Sequence, residues 1–453
     1  MALNSKLSDF SPIVFGDLNI IPRQFLNSHT APSPIPYTGS PLLLCLADIR
    51  LFFSLAWSLP GILIPVTRWR SSALDELYPS LPNLISLALH GFLIIFQSLV
   101  LLSLPFLILL PLWGVILYLA AVYAVTWITA LLLNGTEDVL HSTVDLGEEG
   151  KRHAGECWIY LNGVSIGKHW LQSNLDRLAY TFRRPITGVH NRTYGILFDL
   201  LQCIVERDFD YATYDIRRSY VTIKNSLLDE KNKKVVLILH SQGGIEGSLI
   251  LDWLLTELPH DTVNKLEIYS FGSAANHFNN PLRHSQFRSS AATNGDTQIA
   301  TSTTRNHYAV RHIEHYAAAG EFVARWGVLH FAPLPSRYAG RVFIRPGTGH
   351  LLNQHYLNSI FPLDQNMRVR EHNSFMDMNV RFTSDGAMER VREGYVEMLL
   401  GGEEAMDGAI VKDRGNGVSD LARSWPVAAR RVTPRVRDCS RLWLYRNGGS
   451  PED

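Results

Sequence analysis

Cysteine is scarce in this chain and widely scattered. Four are present in 453 residues, Cys45, Cys157, Cys203 and Cys439, and none forms a C-x-x-C pair. That spacing excludes a disulfide framework and a cysteine zinc site, and it favours a reducing compartment. Net charge is missing too. The 42 Lys and Arg residues balance 42 Asp and Glu, so no basic field points to nucleic acid as a partner. Residues 1–20, MALNSKLSDFSPIVFGDLNI, lack a basic patch followed by an apolar core, and so make a poor signal peptide.

A third absence is local. Residues 77–136 hold no Asp, Glu, Lys or Arg. The apolar block 84–133 far exceeds the ~20 residues of one bilayer crossing, which argues against a helical hairpin buried in a soluble core. Pro105 and Pro111 sit near its middle, where helices break or turn. Two transmembrane helices, 84–104 and 112–133, are the expectation. An earlier apolar stretch, 51–66, is short and contains Pro60 and Pro65, so it suits an interfacial or re-entrant segment. Arg68 and Arg70 before the hairpin favour a cytosolic placement of both flanks, and with them the remainder of the chain.

The rest divides by pattern. Residues 1–80 read as a partly disordered or interfacial N-terminal segment, 81–135 as the two spans, and 150–400 as one large domain. In that domain, strand-like segments (157–164, 185–191, 265–274, 309–317, 341–346) alternate with helix-like ones (170–182, 196–207, 215–228, 245–258). Such alternation predicts an α/β fold with a mostly parallel sheet flanked by helices. Residues 283–306, rich in Ser, Thr, Asn and Ala, suit a mobile insertion. Residues 401–453 are rich in Gly, Glu and Arg and read as a disordered tail, with Arg430, Arg431, Arg435 and Arg437 clustered.

What is most informative is residues 235–244, VVLILHSQGG. An apolar strand runs into a small-residue turn with a serine at its apex, and a helix pattern follows. That order lifts a hydroxyl above the carboxyl end of a sheet, with helix N–H groups close behind it. The passage resembles the nucleophile elbow, G-x-S-x-G, of the α/β-hydrolase superfamily. Ser241 stands at the nucleophile, flanked by His240 and Gln242, with Gly243 and Gly244 after; Leu239 replaces the first glycine. SFGSAANHF at 270–278 adds to the likeness, as does similarity to membrane-tethered fungal hydrolase-like proteins through HSQGG, ARWGVLHF and GHLLNQHY.

The resemblance implies an acid and then a histidine, later in the chain. His350, on a Gly-flanked loop after the strand at 341–346, is the expected base, with His355 as competitor. Glu321, after the strand ending near Tyr316, is the expected acid. Glu314 lies within that strand, Asp364 follows the histidine, and Arg325 offers Glu321 a simple helix-face ion pair. An oxyanion hole is expected from the N–H of Gln242 and from the loop Asn162, Gly163 and Val164. His190 and Asn191 end a neighbouring strand and are candidates to line the pocket.

The implied function is a membrane-anchored serine hydrolase of the lipase or esterase type, acting on an ester, plausibly a lipid presented by the bilayer, with no metal or cofactor. A catalytically silent hydrolase-fold scaffold is the alternative, kept open by Leu239 and by glutamate in place of aspartate.

Overall fold

The computed structural model describes residues 40–66, 72–281, 308–332, 334, 337–382, 409–412 and 435–451. The expected insertion at 283–306 lies outside them.

An apolar run buried on both faces is the signature of a central parallel strand, and residues 235–239 show it. The chain supplies β1 (Val139–His141), β2 (Glu156–Leu161), β3 (Ile186–Val189), β4 (Lys234–His240), β5 (Leu266–Phe271), β6 (His312–Ala318), β7 (Arg341–Arg345), β8 (Val380–Phe382) and β9 (Ala409–Lys412). They form one sheet in the order β1-β3-β2-β4-β5-β6-β7-β9-β8. From β3 to β7 every pairing is parallel; β1 and β9 add antiparallel pairings at the two sides. This is an α/β architecture with a mostly parallel sheet, and β4 lies inside it.

Strand period sorts the core. Ile159, Val235, Leu237, Leu239, Ile268 and Val342 bury on one face, an aliphatic layer closed by helices. Trp158, Tyr160, Val236, Tyr269, Phe271, Tyr316 and Phe343 bury on the other, a largely aromatic layer.

Among the helices, α1 is Pro41–Leu55, continued by a 3-10 turn to Ile62. The hairpin consists of α2 (Leu81–Ser103), a 3-10 run (Leu104–Leu109) and α3 (Leu112–Asn134). Then follow α4 (Lys168–Phe182), α5 (Ile196–Phe209), α6 (Tyr214–Leu228) and α7 (Gln242–Glu257). Ser80 caps α2 by accepting from the Asn83 N–H, and Gly135, at φ 62°, ends α3. Pro111 precedes α3 at the hairpin's turn.

Among the described residues, three helices rather than two are long and apolar enough to cross a membrane: Pro41–Ile62, Leu81–Leu109 and Leu112–Asn134. The first begins upstream of the 51–66 stretch and carries Asp48. That carboxylate is neutralised, because Arg207 on α5 meets it at 2.7 Å. Phe52 packs edge-on against Phe322 and Trp326, so this helix rests on the α/β domain along its length.

The reading of 401–453 as a disordered tail is corrected for residues 409–412, which form β9, and for residues 435–451. Leu442, Trp443 and Tyr445 are buried in the aromatic layer, and Arg441 pairs with the buried Glu267 at 2.9 Å. Arg435 and Arg437 both meet Asp377. Carboxylates of the α/β domain thus partner both of these arginines. Arg430 and Arg431 lie outside the described residues.

Candidate functional site

Ser241 sits between the last residue of β4 and the first of α7, at φ 56° and ψ −119°. A non-glycine residue there costs roughly 1–3 kcal/mol, so surrounding contacts must hold it. They do so from both sides of the turn. The Ser241 N–H donates to the Phe271 carbonyl at 3.1 Å, and its own carbonyl accepts from Gly244 and Ala274 at 3.0 and 3.1 Å.

The loop after β2 passes directly over this serine. A Cβ on Gly163 would lie 2.5 Å from the Ser241 Cβ and 3.0 Å from its Oγ, so only glycine lets the two backbones approach. Asn162 fixes the loop: its Nδ2 donates to the carbonyls of Gly163 and Asn191, and its Oδ1 accepts from the Asn191 N–H. Its side chain is therefore a brace, and Val164 follows, partly buried. Asn191 thus enters through its backbone, while His190 turns its Nε2 to the Ile166 carbonyl at 3.1 Å.

Gln242 begins α7, and its Nε2 donates to Glu206 at 2.9 Å. Gly243 packs beneath the end of β2, where a Cβ would strike the Leu161 carbonyl, and Gly244 faces Ser273.

His350 and Glu321, the pair that the resemblance implies, lie side by side. Nδ1 of His350 lies 3.2 Å from Oε1 of Glu321. The ring is not aligned for a hydrogen bond at that distance, and Nε2 likewise has no partner. Glu321 is fully buried and has a second duty. Its carboxylate caps the short helix Phe322–Trp326 by accepting from the N–H groups of Val323 and Ala324. Arg325 instead lies over the Trp57 ring, 4.5 Å from its centroid.

The remaining candidates have other roles. His355 is engaged at both ring nitrogens: Nδ1 accepts from the Leu351 N–H and Nε2 donates to the Pro65 carbonyl, each at 3.0 Å. Burial pushes its pKa down to about 4, which keeps it neutral. Glu314 accepts from the Arg441 and Leu442 N–H groups and anchors the C-terminal segment. Asp364 closes an exposed turn with Asn366 and Arg368.

His240 stacks on His350, with ring centroids 4.7 Å apart, because strand alternation puts it on the aromatic face, opposite Leu239. Its Nε2 donates to the His350 carbonyl at 2.8 Å. Burial, with the adjacent His350, holds its pKa well below the usual imidazole value, so it is a neutral prop for the loop.

Sequence reasoning missed two further supports. Arg345 donates to the carbonyls of Thr348 and Gly349, shaping the loop that carries His350. Tyr356 places its hydroxyl near the Ala318 N–H at 3.3 Å, and its pKa is driven well up by burial and by Glu321. The N-terminal segment completes the setting: the N–H groups of Gly349 and His350 donate to the carbonyls of Gly61 and Ile62 at 2.7 and 3.0 Å. Ser241, Glu321 and His350 are all buried, with Ser241 only 3% exposed.

Behind the serine turn lies a group of acidic side chains, Asp199, Glu206, Asp215 and Glu246. All have raised pKa values, chiefly through desolvation, to about 6 for Asp199 and about 7 for Asp215. Glu246 is fully buried, with the Asn191 side chain as its polar neighbour. Among the described residues, no group of three or more His, Cys, Asp or Glu is placed to hold a metal ion. Comparison of the chain with protein-family models gives no match, and comparison with curated protein sequences gives none either.

Proposed function

We propose that the protein is a membrane-anchored serine hydrolase that cleaves a carboxylic ester, plausibly a lipid, on an α/β-hydrolase-like framework. The observation that carries this reading is the left-handed backbone of Ser241 at the strand-to-helix turn, under Gly163. Strain of this kind at a serine is what a reactive hydroxyl above a parallel sheet requires. In this reading Ser241 attacks the carbonyl carbon, and His350 accepts the hydroxyl proton at Nε2. Glu321, beside Nδ1, orients the ring and stabilises the imidazolium. The N–H groups of Gln242 and of the Gly163–Val164 loop take the developing oxyanion. His350 then protonates the leaving alcohol, and water releases the acyl group by the reverse sequence. Nε2 of His350 makes no hydrogen bond in the structure, and catalytic hydrogen bonds commonly tighten only once substrate is bound. The apolar helices bring the enzyme to its substrate, with the α/β domain on the cytosolic side.

A catalytically silent scaffold is the second reading. The burial of Ser241 and the duty of Glu321 as a helix cap favour it. A fluorophosphonate probe separates the two. Labelling at Ser241 that vanishes in Ser241→Ala and drops sharply in His350→Ala supports the enzyme. An unlabelled protein with a cooperative melt supports the scaffold.

A further inference from the structure

Asn83, His90, Gln97 and Asn134 of the hairpin turn toward the α/β domain and stop partway along it, whereas Ser103 and Tyr118 beyond them bond to each other. Asn83 accepts at Oδ1 from His169 and Trp170, and His90 stacks on Trp170. Gln97 donates to the Tyr194 carbonyl. On the return helix, Asn134 exchanges hydrogen bonds with the backbone of Thr193. The last buried residue going out is Val100 and the first coming back is Thr126; none of residues 101–125 is buried.

The free part is therefore short. At helical rise, residues 101–109 reach about 17 Å and residues 112–125 about 21 Å. The hydrocarbon core is about 30 Å thick, or roughly 15 Å per leaflet. The docked half does not supply the missing length. Thr193 and Tyr194 are neighbours of Arg192, whose guanidinium, like its partner Asp138, remains partly exposed. Sinking such charges to mid-membrane is strongly disfavoured. At the tip, by contrast, Ile108 is 87% exposed, with Leu109, Leu112 and Trp113 almost as bare.

We propose that the hairpin enters one leaflet only, so that its tip ends near the bilayer midplane and the domain lies on that same face. The partner is the acyl layer of a single leaflet. The turn never reaches the opposite surface, and the two apolar helices form an anchor rather than a pair of crossings. The inference is independent of whether Ser241 reacts.

The test uses the full chain reconstituted in sealed phosphatidylcholine vesicles, with single additions Ile108→Cys at the tip and Glu137→Cys beyond α3. Both positions are exposed, so the fold is expected to tolerate either change. The parent chain corrects for its own cysteines. A membrane-impermeant maleimide is expected to label Glu137→Cys from the domain's side and Ile108→Cys from neither side. A fluorophore on Ile108→Cys is expected to be quenched most by lipids with a nitroxide at the acyl-chain end. Labelling of the tip from the far side, or strongest quenching by headgroup nitroxides, would overturn the proposal in favour of a spanning hairpin. An unquenched tip would overturn it in favour of one that stays outside the lipid.

Discussion

Leu239 occupies the space that a side chain at position 247 would need. A Cβ on Gly247 would fall 2.4 Å from its Cδ1 and 2.9 Å from its Cδ2. The bulky residue just before the serine turn is thus matched by a glycine one turn into α7. Gly247→Ala is expected to destabilise the protein by about 1–3 kcal/mol through overpacking. Leu239→Ala should cost about 2–5 kcal/mol by leaving a cavity. The double variant should be more stable than the two losses added together, and a denaturant-melt mutant cycle reads that coupling. Simple additivity would show that the two residues do not share this space.

Glu321 serves both His350 and the helix behind it, and substitutions should separate those duties. Glu321→Gln keeps one carbonyl oxygen for the cap but removes the charge beside the imidazole. It should lower kcat on a soluble ester by about 100-fold or more while shifting Tm little. Glu321→Ala removes the cap as well and should cost a further ~1 kcal/mol of stability. Equal kcat for Glu321→Gln and the parent would leave the carboxylate a purely structural role.

The raised carboxyls behind the serine turn set a direction for pH dependence. A folded pKa above the unfolded value of about 4 means that the native state keeps protons which the unfolded chain releases. Below about pH 4 both states are protonated and these groups cost nothing. Between there and about pH 7, the position of Asp215, stability falls, and it stays reduced above that. Arg192, Arg218 and Asp138 act on Asp215 from nearby, and Glu206 is its closest acidic influence. Glu267 works in the opposite sense: burial pushes its pKa up, but the charge and hydrogen bond of Arg441, with Lys234 and His312, together outweigh burial and hold it below the usual value. The informative quantity is therefore a difference. Glu246→Gln, which cannot ionise, should gain Tm over the parent as pH rises from 5 to 8. A constant gap across that range would count against the buried-acid account.

Asp48 is the only side chain on α1 that neutralises Arg207, whose guanidinium also donates to the Ala274 carbonyl and lies 3.8 Å from the Trp326 ring centroid. Asp48→Ala strands that cation in the core and should cost about 3–5 kcal/mol. Asp48→Ala combined with Arg207→Met should recover part of the loss in a chemical melt. No recovery would mean that Arg207 is held chiefly by its other contacts.

Much of the central sheet was legible because each strand there is a short apolar run set off by helical periodicity. Residues 235–244 announced both β4 and the serine turn, and the Gly-flanked loop announced the position of His350. The edge strands Val139–His141, Val380–Phe382 and Ala409–Lys412 were not legible, being too short for alternation to register. Trp443 and Tyr445 were hidden among arginines, whose partners Glu267, Asp377 and Glu371 lie far away in sequence. Arg345 and Tyr356 escaped notice for a related reason. Their contribution is to hold a loop, and only proximity in space reveals it.

The carbonyls of Gly61 and Ile62 form one edge of the cradle under the histidine loop, so the apolar helix Pro41–Ile62 and the proposed reactive centre are one mechanical piece. A water-soluble fragment trimmed to start after the hairpin would lose that edge, along with the Pro65 carbonyl that steadies His355. It would report on a damaged centre, and its silence toward a probe would say nothing of the intact molecule. Detergent or nanodisc preparations of the entire polypeptide are the ones in which reactivity has meaning.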